Sequence, residues 1–311
     1  SLSSPLRWTG YTGVGFSRIS VNPSLSIIYK LNYAWRFTAH ASYKERYGEM
    51  TDLYDRPYQT DYRNSVWNCG ILPVYRQQLY SVYGEYKSTA REFFATVNLT
   101  HNREWYNRIY EQRIENGQVQ RVSLPLSNHG SGYTVKSTLS KGFYDLGLKT
   151  SLMALLNISK AEQISGGQRL PYQYRLMRLE PKVIWTPNRH WETSYQTDIR
   201  YGGNKIGERT RLAPLWNVTQ QVQLSYIFSP IEASLSVDHY HNDVNEDQSV
   251  NAVFADFSVL WKSRRLQITA TATNLFDKRT YGYTRYASLE RYTSWVRIRP
   301  REFLVAIRYQ L

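Results

Sequence analysis

Residues able to do chemistry gather in one stretch of this chain, where Asp52, Asp55 and Asp61 are interleaved with Tyr47, Tyr54, Tyr58, Tyr62 and Trp67. Carboxylates and rings in this mixture suit recognition rather than reaction: the rings stack on flat solute faces while the carboxylates and phenols hydrogen-bond to hydroxyls or amines. Tyr54, Asp55, Tyr58, Asp61, Tyr62 and Trp67 are therefore the candidate ligand-binding residues, with a sugar or an iron chelate as the solute; the alternative is a loop that packs on itself, stiffened by tyrosine. Catalysis has little to work with. The six histidines, His40, His101, His129, His190, His239 and His241, hold no pair at helical metal spacing. His239 and His241 would share a face on a strand and could touch a metal or haem, but they read better as a solvated strand-to-loop edge. Cys69 is the single cysteine, which excludes an internal disulfide and a multi-cysteine metal site within these residues. Gly166-Gly167 and Gly202-Gly203 read as turns in loops, not phosphate cradles. Asn98-Leu99-Thr100, Asn157-Ile158-Ser159 and Asn217-Val218-Thr219 match a glycosylation sequon inside strand-like stretches and are treated as chance. No catalytic group, metal or cofactor is expected.

The elements that must position such a loop are strands. Of 311 residues, 15% are aromatic and 27 are Tyr, yet the mean hydropathy is -0.55, and no run of about 18 apolar residues exists to form a membrane-crossing helix. A transmembrane β-barrel hides its apolar content in every second residue, so its average stays low. That alternation recurs along the chain. Leu25, Ile27, Tyr29 and Leu31 face one way, as do Phe37, Ala39, Ala41 and Tyr43, then Phe93, Ala95, Val97 and Leu99, and later Ile231, Ala233, Leu235 and Val237, and Leu266, Ile268, Ala270 and Ala272. About fourteen strands of about 10 residues are expected, the length that spans a tilted path through a bilayer.

Connections alternate as well. Short turns are expected near Asn32 to Trp35, Ser88 to Ala90, Gly142 to Tyr144, Pro187 to His190, Ser229-Pro230 and Lys262 to Arg265. Long polar or aromatic stretches lie between them, at Lys44 to Tyr75, Trp105 to Gly130, Ser159 to Pro171, Tyr201 to Pro214, His241 to Ser249 and Asp277 to Thr293. Short periplasmic turns and long extracellular loops are the habit of outer-membrane barrels, whereas a soluble sandwich has no reason to sort its loops by end. Trp35, Tyr144, Trp185, Trp191 and Trp261, near the short turns, suit an interfacial aromatic girdle. The formal charge of +14 is scattered rather than gathered in one tract. With no nucleic-acid motif beside it, it points to lipopolysaccharide phosphates at the outer rim and an anionic solute in the lumen.

Phe303, Val305, Ile307, Tyr309 and Leu311 share one face of the last strand, and an apolar C-terminal residue with an aromatic two positions earlier resembles the segment by which bacterial outer-membrane barrels are handed to the barrel assembly machinery. Leu311 stands where that segment usually has Phe. Asn274-Leu275-Phe276-Asp277-Lys278, an aromatic-rich loop, then Arg299-Pro300-Arg301-Glu302-Phe303 resemble the C-terminal end of TonB-dependent outer-membrane receptors, in the style of the Bacteroidota. Asn22 to Leu31, Phe37 to Tyr47 and the loop Tyr54 to Asn64 resemble the mid-barrel of the same family. The resemblance implies that residues 1-311 are the C-terminal part of a barrel of about twenty-two strands. It also implies an energy-coupling plug lying outside this chain, TonB and a surface lipoprotein as partners, and a C-terminus on the periplasmic side. The start Ser1-Leu2-Ser3-Ser4-Pro5 has no signal-peptide character. Transport of a siderophore, vitamin or glycan-type solute is the expectation, with a self-contained passive channel of about fourteen strands or a structural or adhesive barrel as alternatives.

Overall fold

In the computed structural model the described residues are 6–9, 15–18, 20–115, 118–207, 210–211, 213–245, 247–287 and 290–310. They form an antiparallel β-barrel sheet of the transmembrane type. The hairpin of β1 (Leu6–Thr9) and β2 (Gly15–Arg18) is a separate two-stranded sheet. The barrel begins with β3 (Ser24–Lys30) and β4 (Trp35–Tyr47), followed by the loop strands β5 (Tyr58–Gln59) and β6 (Asn64–Trp67), then β7 (Val74–Ser88) and β8 (Phe93–Tyr106). A second loop hairpin, β9 (Ile109–Glu115) and β10 (Gln118–Leu124), precedes β11 (Asn128–Phe143), β12 (Leu148–Ser165), β13 (Gln168–Trp185) and β14 (Trp191–Ile206). After the short β15 (Thr210–Arg211) come β16 (Leu215–Phe228), β17 (Ile231–Asp243), β18 (Ser249–Lys262) and β19 (Leu266–Thr273). The chain then makes a third loop hairpin, β20 (Thr280–Ala287) and β21 (Glu290–Arg297), and ends with β22 (Glu302–Tyr309). The staves proper are β3, β4, β7, β8, β11 to β14, β16 to β19 and β22, thirteen among the described residues.

Register fixes which residues share a face, because directly paired residues of antiparallel strands point the same way. One row runs Ile27, Ala39, Val82, Leu99, Val135, Leu156, Met177, Tyr201, Trp216 across nine staves. Most of these side chains are exposed although apolar, as a lipid-facing surface requires. The alternate row is polar: Lys30, Arg36, Glu85, Thr96 and Thr138 line up on the opposite face. On that face Arg178 holds Asp198 through two bonds, of 2.9 and 3.0 Å, and Arg200 joins them. Hairpin β20–β21 packs on it as well, Tyr281 lying 5.2 Å from the Tyr240 ring and accepting from the Asn242 amide at 2.9 Å. The polar face is therefore the lumen. Aromatic rows bound the apolar band, with Trp35, Tyr86, Trp191 and Tyr226 towards the short turns and Tyr201 and Trp216 towards the long connections. Trp216 and Tyr226 lie on one strand, separated by about 34 Å of chain, which a tilt of about 40° turns into a band of about 25 Å.

The short turns sit at one end and their sequences explain them. Asn32 accepts from the amides of Ala34 and Trp35, both at 2.9 Å, and Asn188 does the same for His190 and Trp191. Strand β11 runs to Phe143, so the turn lies at Tyr144–Leu146 rather than Gly142 to Tyr144, and it closes on Gly147 at φ 59°. A Cβ there would stand 2.1 Å from the Thr186 carbonyl oxygen, so only glycine fits.

Two expected loops are strand instead. Ser159 to Pro171 continues β12 and β13 to a two-residue turn at Gly166-Gly167, and Tyr201 to Ile206 continues β14, with Gly202-Gly203 inside it. The staves extend beyond the span a bilayer needs, paired out to Ser165↔Gln168 and Tyr172↔Ile206. His239 and His241 likewise lie on β17 and not on a loop edge. In the cyclic strand order β22 stands beside β3. No residue register joins them among the described residues; each pairs on one side only, β3 with β4 and β22 with β19. All their residues are exposed on both faces, Ile28 and Leu304 as much as Ile27 and Val305. The seam is open.

Candidate functional site

Above the lumen the connections between β4 and β7 and between β8 and β11 build a common wall. Asp61 shapes the first: its carboxylate accepts from the amides of Arg63 (2.8 Å) and Asn64 (2.9 Å) and from the Asn64 side chain (2.7 Å). These bonds, the Asn64 side chain first, hold the Asp61 carboxyl below the usual carboxylate range. The turn sends β6 along β10 in parallel, Asn64 opposite Val119 and Val66 opposite Arg121. Strand β10 pairs with β9, and the far edge of β9 meets β12 at Ile164 and Ser165. Ile109, Glu111 and Val122 are buried on one face of this added sheet. Tyr110, Gln112, Ile114, Val119 and Arg121 occupy the other, and line a cavity of about 1220 Å³ with Tyr75, Tyr106 and Tyr172 of the lumen wall.

Arginine and tyrosine dominate that cavity. Arg108 is 6% exposed; it donates to Asp52 at 2.9 Å and to the Tyr75 hydroxyl at 2.7 Å, and its Nε has no partner. Burial works against its charge, but the neighbouring Tyr110 and the bond to Asp52 prevail and raise its pKa. The Arg108 and Arg121 guanidiniums lie 4.9 and 3.7 Å from the centre of the Tyr110 ring. Burial pushes the Tyr110 phenol up, so it remains a neutral donor at neutral pH. Arg63 lies over Tyr62. Two carboxylates border the cavity and both are engaged: Asp61 by its own turn and Glu162 by Arg169 at 2.9 Å. Arg63 and Arg121 have no carboxylate within ion-pair distance among the described residues. Cations in excess beside neutral phenols and ring faces are the chemistry that suits an anionic, partly planar solute.

Of the residues expected from the sequence, Asp61 borders this cavity. Tyr54 and Tyr58 make an edge contact with each other at 6.0 Å, Trp67 donates to the Asp55 carbonyl at 2.8 Å, and Tyr62 is 79% exposed. Among the strand-end residues, Phe303, Val305, Ile307 and Tyr309 share the outer face of β22, opposite Ala272, Ala270, Ile268 and Leu266; Leu311 lies outside the described residues. Arg63, Arg108, Arg121 and Tyr110 carry the site without having been expected. The alternation of Tyr106, Arg108 and Tyr110, from the end of β8 across the break at Asn107-Arg108 into β9, is the available signal inside what reads as loop.

Asn274 explains the motif near the C-terminus. Its side chain donates to the carbonyls of Lys278 and Arg299 and accepts from the Lys278 amide, while Asp277 accepts from the Arg301 amide at 2.9 Å. Both ends of the connection between β19 and β22 are thereby clasped.

No protein-family model and no curated protein matches the sequence. Among solved structures, the chain is similar to Pseudomonas aeruginosa FpvA bound to heterologous pyoverdines (11% identity, 92% of this chain and 44% of that one, TM-score 0.45). It is similar to the ferric yersiniabactin uptake receptor FyuA of Yersinia pestis (8% identity, 93% and 50%, TM-score 0.48) and to the Pseudomonas putida toluene transporter TodX (11%, 98% and 87%, TM-score 0.27). None of these likenesses carries a function to this chain. It spans half or less of the two receptor chains, and its architecture rests on its own registers and faces.

Proposed function

We propose that these residues are the C-terminal arc of a bacterial outer-membrane transport barrel of the TonB-dependent type, capturing an anionic solute at the extracellular mouth of the lumen. The observation that carries the proposal is the Arg63, Arg108, Arg121 and tyrosine cavity, placed where the long connections fold over a polar lumen. Tyr54, Asp55, Tyr58, Tyr62 and Trp67, in the same connection as Asp61 and Arg63 but outside the cavity lining, are proposed as the surface a siderophore, vitamin or glycan-type solute meets first. The exposed joint between β3 and β22, without a register, supports a larger barrel, because unpaired backbone groups cost several kcal/mol each in hydrocarbon and further strands would cover them. A self-contained passive channel would need β3 and β22 to pair, and their exposure stands against it. The plug and its TonB-coupling peptide then belong to residues other than these 311, with the C-terminus periplasmic and the assembly machinery reading the face of Phe303 to Tyr309.

Uptake into whole cells tests this. Accumulation of an anionic solute should stop when the proton gradient is collapsed, and the intact mass from the native membrane should lie far above 36.6 kDa. Uptake indifferent to the gradient, by a protein of that mass, would instead establish a passive channel.

A further inference from the structure

The lipid-facing surface changes character abruptly towards the long connections. Across five neighbouring staves the row Leu99, Val135, Leu156, Met177, Tyr201 is apolar and aromatic, and two residues further along it becomes His101, Tyr133, Ile158, Arg175, Gly203. Two residues beyond that it reads Arg103, Ser131, Lys160, Gln173, Lys205. Lys160 and Lys205 flank the single stave β13, so their backbones are about 10 Å apart, with Arg175 of β13 between them and one step nearer the apolar band. Ser131, Lys160, Gln173 and Lys205 border a recess of about 290 Å³. The carboxylate on its rim, Glu162, is held by Arg169 at 2.9 Å. Lys160, Arg175 and Lys205 have no carboxylate within ion-pair distance among the described residues. Arg103 is fixed by donating to His101 at 3.2 Å, whose ring stacks on Tyr133 at 4.2 Å.

We infer that Lys160, Arg175 and Lys205, with Arg103 beside them, form a docking site for the phosphates of an outer-leaflet phosphoglycolipid. The site rests on the extracellular placement of the long connections proposed above. Three features select a lipid. The cations lie on the outer face, and their recess shares only Ala161, Glu162 and Tyr172 with the solute cavity. They continue an exposed apolar band without interruption, so a molecule bound to them has hydrocarbon beneath it. Their charge is uncompensated at the height where headgroup phosphates begin, and Ser131 and Gln173 offer hydrogen bonds to sugar hydroxyls beside them.

The test compares the full chain in detergent with the triple variant K160Q/R175Q/K205Q, both titrated with bisphosphorylated lipid A and with its dephosphorylated form, and read by native mass spectrometry. The triple variant should bind the phosphorylated form at least tenfold more weakly, and the two proteins should bind the dephosphorylated form alike. A control with Arg36, Lys136 and Lys182 changed to Gln, all on the lumen face, removes the same charge and should behave as wild type. Unchanged binding by the triple variant, equal loss in the lumen control, or displacement of the lipid by millimolar inorganic phosphate would each overturn the site. Insertion of the whole protein, purified from its native outer membrane, into phosphatidylcholine liposomes separates the two claims. A protein that inserts and yet fails these comparisons loses the lipid site alone, whereas one that does not insert loses the barrel reading and the site together.

Discussion

Arg108 and Arg121 touch the same tyrosine ring but differ in what they leave behind when removed. Arg108 is buried and joins Asp52 to Tyr75, so Arg108→Gln should destabilise the protein by about 1–3 kcal/mol, leaving a carboxylate and a phenol without their partner. A chemical-denaturation midpoint read by tyrosine and tryptophan emission checks this. Arg121 is exposed, with its ring contact as its interaction. Arg121→Gln should shift that midpoint by no more than about 0.5 kcal/mol, while weakening capture of an anionic solute about tenfold, the worth of one charge-assisted hydrogen bond. Asp61 supplies a pH dependence. Its folded pKa is depressed by Asn64 and the turn amides, so its contribution is complete above the ordinary aspartate pKa and is lost as pH falls through the depressed folded value. The Arg63 and Asn64 amide signals in an NMR titration should move below about pH 4 in wild type and stay still in Asp61→Asn.

Turns and clasps decide how well the elements hold. Gly147→Ala must open the turn between β11 and β12, since the new Cβ meets the Thr186 carbonyl and the residue sits at positive φ; a cost of about 1–3 kcal/mol is expected. Refolding yield into liposomes, scored by the gel shift between folded and heated protein, measures it. Asn274→Ala removes three side-chain bonds that tie Lys278 to Arg299. It should release hairpin β20–β21 from the lumen face while the staves persist, which hydrogen exchange at Tyr281 and Gly282 reports. The staves were legible in the sequence because a two-residue period survives in a chain whose outer face meets lipid: Leu25, Ile27 and Tyr29 needed no tertiary information. The added sheet was not, since Ile109 to Glu115 and Gln118 to Leu124 bury one face against other loops, and Tyr58 and Gln59 are too short to show any period. Arg121 reaches Tyr110 through the pairing of β9 with β10, a contact decided by register rather than spacing, and the site inherited that obscurity.

For the whole molecule, the seam makes the sharpest prediction. Amides of β3 and β22 that point into it should exchange rapidly when these 311 residues are refolded alone, and those of β12 and β13, paired on both sides, slowly. In protein from its native membrane the same β3 and β22 amides should be protected, and rapid exchange there would remove the case for a larger barrel. The stave count says what can fill the gap. Each antiparallel neighbour reverses polarity, so in a set of thirteen the first and last staves travel the same way: β3 and β22 both head towards the short-turn end. Drawing them together would make a parallel pair, and a second copy in the same orientation would present that mismatch twice. Only an odd complement of strands, starting and finishing against the grain of its neighbours, can close the wall.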